Sequence, residues 1–196
     1  MERIRFLYNE PAAIISALKK RYLVVGDMHI GLEREFSKRG IHVPNSAELM
    51  AGRIKRIMSE NSLSRIIILG DIKNSILFPD AYDARSIKSF FSELSGFGLT
   101  VVAGNHDAHL AEIVDVPIER EFMLGDFAFV HGDKRPSSME SEYVISAHNH
   151  VAVRMKDRNG RYYDEKGWLI ANISKAKARE FYDKCNDKAR LVVMPA

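Results

Sequence analysis

The sequence predicts a layered α/β domain whose sheets are mixed rather than purely parallel, and three observations lead there. Its first half alternates branched apolar runs with segments of helical period, the pattern of strands covered by helices. From Pro117 onward it is mostly strand, with "IEREFML", "FAFVHGD", "YVISAHNH" and "VAVRMKD" in quick succession. Three apolar runs of the first half end in a glycine and a polar residue, as fully covered strands feeding loops do. At 196 residues and 46% hydrophobic, the chain is expected to bury one core and form one domain, 1–196.

The elements follow in order. "IRFLY" (4–8) and "YLVVGD" (22–27) read as strands, rich in branched and aromatic residues. "PAAIISALKK" between them has helical propensity but is short, and it leans to a further strand. From Ser46, Leu49, Met50, Ile54, Ile57 and Met58 recur at helical spacing, with Ser46 as the expected N-cap. "RIIILGD" (65–71) is a continuous apolar strand. The stretch 80–94 is helical, with Tyr82, Ile87, Phe90, Phe91 and Leu94 toward the core, and "LTVVAGNHD" (99–107) is a third covered strand with a polar turn. Asn159-Gly160 predicts a hairpin into "RYYDEKGWLIANI". Residues 174–185 read as an amphipathic helix capped by Ser174, and "RLVVMP" as the last strand.

Composition excludes several classes. The single cysteine, Cys185, rules out an internal disulfide and fits a reducing compartment. Charges interrupt the apolar runs of the N-terminus, so it lacks a secretory h-region. No apolar stretch approaches the roughly 20 residues that span a bilayer. A cytoplasmic protein with no membrane contact is expected. The net charge of +3 tolerates a polyanionic partner without demanding one.

Polar residues collect at strand ends: "VVGDMHIG" (Asp27, His29), "IILGDIKN" (Asp71), "VVAGNHDAH" (Asn105, His106, Asp107), "FVHGD" (His131) and "SAHNH" (His148, His150). Loops beyond the carboxyl ends of such strands converge on ligand sites. If 143–153 were extended throughout, alternation would put His148 and His150 on one face. Alone, that pair reads equally well as hydrogen-bonded core histidines or as metal ligands. Together with hard carboxylate and amide oxygens, the imidazoles suit manganese, iron or zinc, and suit neither an all-oxygen calcium cage nor a thiolate zinc site. The candidates outnumber one tetrahedral shell, and a shared carboxylate could bridge two ions roughly 3.5–4 Å apart around a phosphoryl group.

"GDMH", "LGD", "GNHD", "VHG" and "AHNH", in this order over residues 26 to 150, resemble the five motifs of the calcineurin-like metallophosphoesterase superfamily. The resemblance implies a sandwich of two mixed sheets flanked by helices and two divalent metal ions, manganese first, with iron, zinc or nickel as alternatives. It assigns Asp27, His29 and His150 to one ion and Asn105, His131 and His148 to the other, with Asp71 bridging. It gives His106 to the scissile phosphate or leaving group and Asp107 to the orientation of His106. "GDMHIGLE", "RGIHVP", "LGDIKN" and "VVMPA" are further similar to SbcD-related phosphoesterases of archaea. That implies a phosphodiester substrate, DNA included. A small-molecule phosphodiesterase or phosphomonoesterase is the alternative, and a non-catalytic scaffold of the same fold a third reading.

Three departures from the pattern stand out. The last motif begins with Ala147 where glycine is usual, so a slightly different local backbone is expected. Asn74 stands where many members carry a carboxylate or histidine, but Asp71 is intact and metal binding is expected to survive. Relatives of the SbcD-related kind continue past "MPA", so a missing terminal segment is expected, and no appended DNA-capping domain is expected. Arg34, Arg39 and Lys73 are the candidates for contacting substrate phosphates, with Lys38 beside them. His42 and His109 match no role.

Overall fold

The computed structural model describes residues 3–41 and 43–196, so His42 lies outside the described residues. The chain forms two large mixed sheets, as expected. In the first, β1 (Ile4–Phe6), β2 (Ala13–Ala17), β3 (Lys20–Gly26), β4 (Arg65–Leu69), β5 (Gly98–Val102) and β6 (Ile118–Glu119) lie side by side in sequence order. The pairings β1–β2 and β2–β3 are antiparallel, and those from β3 to β6 are parallel. The second sheet runs β12 (Leu169–Asn172), β13 (Arg190–Val193), β9 (Tyr143–Ser146), β8 (Phe127–Val130), β7 (Glu121–Leu124). Its inner pairs β13–β9 and β9–β8 are parallel. A separate hairpin joins β10 (Ala152–Lys156) to β11 (Tyr162–Lys166). Asn159-Gly160 lies in its turn, where the Asp157 carboxylate accepts from the backbone N–H groups of Asn159 and Arg161.

Period-two alternation decides what each face of the first sheet covers. Ile66 and Ile68 of β4 join Leu23 and Val25 against the helices α2 (Ser46–Glu60) and α3 (Ala81–Glu93), through Ile54, Met58, Ile87 and Phe90. Ile67 and Leu69 point the other way and meet Phe127, Phe129, Ile145 and Val192 of the second sheet. That interior joins the two sheets into a sandwich. The far face of the second sheet packs Ala128, Val130 and Val144 against Met139 and Ala178. Because β3, β4 and β5 are parallel, their carboxyl ends open on one edge, where the polar motifs gather.

Several local expectations are corrected. The N-cap of α2 is Asn45, whose side chain accepts from the Ala47 N–H at 2.9 Å, and Ser46 is already helical. Leu49 is 65% exposed and so lies off the buried stripe of α2. Tyr82 is 45% exposed, its ring under the Arg34 guanidinium rather than in the core. The helix expected over 174–185 is only α4 (Lys175–Ala178). Beyond it the chain is drawn toward the second sheet: Tyr182 donates to the Pro136 carbonyl at 2.9 Å and Cys185 bridges to Met139. A short helix, α1 (Leu32–Lys38), has no counterpart in the sequence reading. No helix among the described residues is long and apolar enough to cross a membrane.

Candidate metal centre

His148 and His150 do not share the face of a strand. Strand β9 stops at Ser146, and the two histidines stand in the loop beyond it with φ of 68° and 43°. Left-handed backbone, not strand alternation, aims both rings at the site. Asp27, His29 and Asp71 share this conformation, at φ 51°, 46° and 49°. Side chains with a Cβ adopt it uncommonly, and such residues cluster where structure around them dictates their direction. Here the dictating contacts are backbone hydrogen bonds between the loops. Asp27 N donates to Gly70 O at 3.1 Å and His29 N to Asp71 O at 2.8 Å. Gly70, at φ 67°, passes so close to Gly104 that a Cβ on it would lie 2.6 Å from the Gly104 nitrogen and 2.5 Å from His131 Nδ1. Only glycine lets the β4 and β5 loops approach this far.

Three sets of potential ligand atoms result, each within 4.8 Å: Asp27 with His29 and His150; Asp71 with His131 and His148; and His29, Asp71 and His106 between them. In the first, His29 Nε2 and His150 Nε2 face each other at 3.3 Å, and Asp27 Oδ2 lies 3.6 Å from His150 Nε2. In the second, His148 Nδ1 is 3.1 Å from His131 Nε2, which is 3.3 Å from Asp71 Oδ1. Asp71 Oδ2 turns the other way, 3.8 Å from His29 Nε2. The Asp71 carboxylate therefore faces both sets.

The donor chemistry fits a divalent cation. His131 Nδ1 donates to the Leu69 carbonyl at 2.9 Å, which points Nε2 at Asp71 and His148 and frees its lone pair for a cation once the proton it shares with Asp71 is lost. A histidine held through one nitrogen by a carbonyl is the usual posture of a metal ligand. Several His and Asp groups here could hold metal ions.

Electrostatics point the same way. Burial pushes Asp71 up, but hydrogen bonds from His131 and the His106 N–H outweigh it and hold the carboxyl at about 2. Burial pushes Asp27 up, against two contacts from the His148 N–H. Burial lowers His29, favouring the neutral ring that ligation requires. His131 is also depressed by burial, yet Asp71 and the Leu69 carbonyl raise it overall. A cation at this position competes with a proton on His131.

His106 and Asp107 divide differently from expectation. The His106 ring is oriented by Asn74, whose carbonyl lies 2.6 Å from Nδ1, while Nε2 is 4.0 Å from Asp71 Oδ2. The Asp107 carboxylate lies below, accepting from the N–H groups of Ile72 at 2.9 Å, Lys73 at 3.4 Å and Gly104 at 2.8 Å. It ties the β4 loop to the β5 loop and does not orient His106. Asn105 stands exposed in the same turn. Ala147 is buried with its methyl toward Gly26, where a Cβ would come within 2.9 Å of it.

The substrate-contact candidates fare unequally. Lys73 is 1% exposed, and its ammonium donates to the carbonyls of Ser75, Ile76 and Leu77, so it is not free for a phosphate. Arg34 pairs with Asp80 and Asp83. Arg39 follows α1 and is exposed, as is Lys38. His109 pairs with Glu112 at 2.7 Å. The sequence reading missed the Asn74 carbonyl, because a backbone acceptor leaves no mark in residue type.

The fold is similar to that of a nuclease, MPE, from Pseudomonas putida. The TM-score is 0.57 at 16% identity, over 94% of this chain and 86% of that one. No family model and no curated protein matches the sequence.

Proposed function

We propose that the protein is a metal-dependent phosphodiesterase acting on nucleic acid. The observation that carries this reading is Asp71, whose Oδ1 faces His131 while its Oδ2 faces both His29 of the other ligand set and His106 Nε2. Asp27, His29 and His150 would hold one divalent ion and Asn105, His131 and His148 the other, with manganese the first choice. Bound there, the ions supply Lewis acidity toward phosphate oxygens and lower the pKa of water. The chain's own residues do the rest. His131 and Asp71 are fixed by backbone partners, so the site needs little reorganisation. His106 keeps its Nδ1 proton on Asn74 O, so as the imidazolium it can give its Nε2 proton to the leaving oxygen and return to the neutral Nδ1–H ring. The likeness in fold to the Pseudomonas nuclease and the motif resemblance to calcineurin-like, SbcD-related enzymes support the same reading.

The test is a manganese-supplemented panel of bis-p-nitrophenyl phosphate, p-nitrophenyl phosphate, and single- and double-stranded DNA. Diester and DNA cleavage are expected. Hydrolysis of the monoester alone would favour a phosphatase, and no hydrolysis at all a scaffold.

A further inference from the structure

One face of the candidate metal centre opens into a cavity of about 370 Å³ that Asp27, His29 and His150 share with the apolar side chains of Met50 and Ile54. Glu10, Pro11, Arg53 and Lys166 border this cavity, and they also border a second one of about 580 Å³. The two form one groove leading away from the ligands. Its far end carries aromatic rings: Phe6 and Trp168 are in contact at 4.5 Å between centroids, and Tyr8 is 91% exposed.

The charges along it favour an anion. Lys166 is exposed and makes no ion pair among the described residues. Of the side-chain carboxylates that border the groove, Asp27 belongs to the ligand set, and Glu10 is shared by Arg53 and Arg56, which leaves one positive charge in excess there. A groove with cations midway and aromatic faces at its end is the arrangement that tracks a sugar–phosphate backbone while stacking bases. A duplex hides the faces of its bases in its own stack, whereas an unpaired strand offers them.

We infer that this groove binds single-stranded nucleic acid running from the metal centre to Tyr8 and Trp168. The phosphates pass Lys166 and Arg53, and an unpaired base stacks at the aromatic end. The inference rests on the phosphodiesterase reading for its ligand, but its test does not require turnover.

Trp168 is the only tryptophan in the chain, so its fluorescence reports the groove directly. The full chain, without added metal and at low salt, is titrated with a short oligothymidylate. Quenching is expected from that strand, and much less from an abasic strand of equal charge or from a blunt duplex. Tyr8→Ala, which removes an exposed ring, should weaken binding about 5- to 150-fold, the loss of one stacked base. Lys166→Ala should flatten the salt dependence of binding. Equal quenching by the abasic strand, tighter binding of the duplex, or no quenching would each overturn the groove. Hydrolysis of bis-p-nitrophenyl phosphate by the unaltered protein separates the two ideas. Cleavage without quenching removes the groove alone, and quenching without cleavage removes the catalytic reading alone.

Discussion

The Nδ1 atom of His106 lies 2.6 Å from the carbonyl oxygen of Asn74, a backbone partner that no side-chain substitution removes. The ring is thus oriented independently of the ligand sets, with only Nε2 directed at the site. His106→Gln should retain metal while lowering turnover by roughly 10²–10⁴-fold, the usual contribution of a general acid. Metal content and rate measured on one preparation check this. Parallel loss of both would make His106 a ligand instead.

Asp71 faces both sets, so Asp71→Asn should reduce manganese binding at both positions, read as ions per chain by elemental analysis. Loss of a single ion would dismiss the bridging role. Gly104→Ala probes the same carboxylate indirectly, since a methyl there would overlap Asp71. Its metal affinity should fall about 10–100-fold, as for lost ligand support.

The buried ammonium of Lys73 gathers three successive carbonyls in the loop that also supplies the Asn74 acceptor. Lys73→Met keeps the aliphatic stem but leaves those carbonyls without their donor. An unmade buried hydrogen bond costs about 1–3 kcal/mol, and urea unfolding should show a loss of that order. An unchanged midpoint would mean that the loop finds other donors.

Asp80 caps α3, accepting from the N–H groups of Tyr82 and Asp83, and pairs with Arg34. The Arg34 hydrogen bond, with the two N–H donors, holds it at about 2. Its pKa is depressed on folding, from about 3.9 in the unfolded chain. The stabilisation is therefore complete above pH ~4 and is lost as pH falls toward ~2. The ion pair is half exposed and contributes little, so the cap dominates. Asp80→Ala should lower stability by about 0.5–2 kcal/mol at neutral pH, and the difference from the unaltered protein should shrink through pH ~2 and vanish only below it. A difference that stays undiminished as the pH falls through ~2 would point to packing instead.

Residue type carried the strand cores well, because a covered strand such as 65–69 must be apolar on both faces. The histidine and aspartate motifs were legible for a related reason: polar groups directly after buried strands must face a cleft. Burial of long polar side chains was not legible, and Lys73 is the clearest instance. Nothing in "LGDIKN" says that its ammonium turns inward to carbonyls rather than outward to water. Nor does residue type separate the stripe of a helix from its margin, where Leu49 and Tyr82 fell. His148 and His150 were identified as a pair but for the wrong geometric reason. Alternation cannot distinguish a strand from a loop whose backbone turns left-handed.

That left-handed backbone places selection for activity and selection for stability in opposition. Asp27, His29, Asp71, His148 and His150 each sit where glycine would be at ease, at a cost of order 1–3 kcal/mol apiece. Glycine at any of them relieves strain and deletes a ligand. His150, half exposed, is the simplest to replace. His150→Gly should melt higher than the unaltered protein in chelator and gain less from added manganese. Drift under stability pressure alone would erode this centre first, and the two cores on either side of the first sheet last.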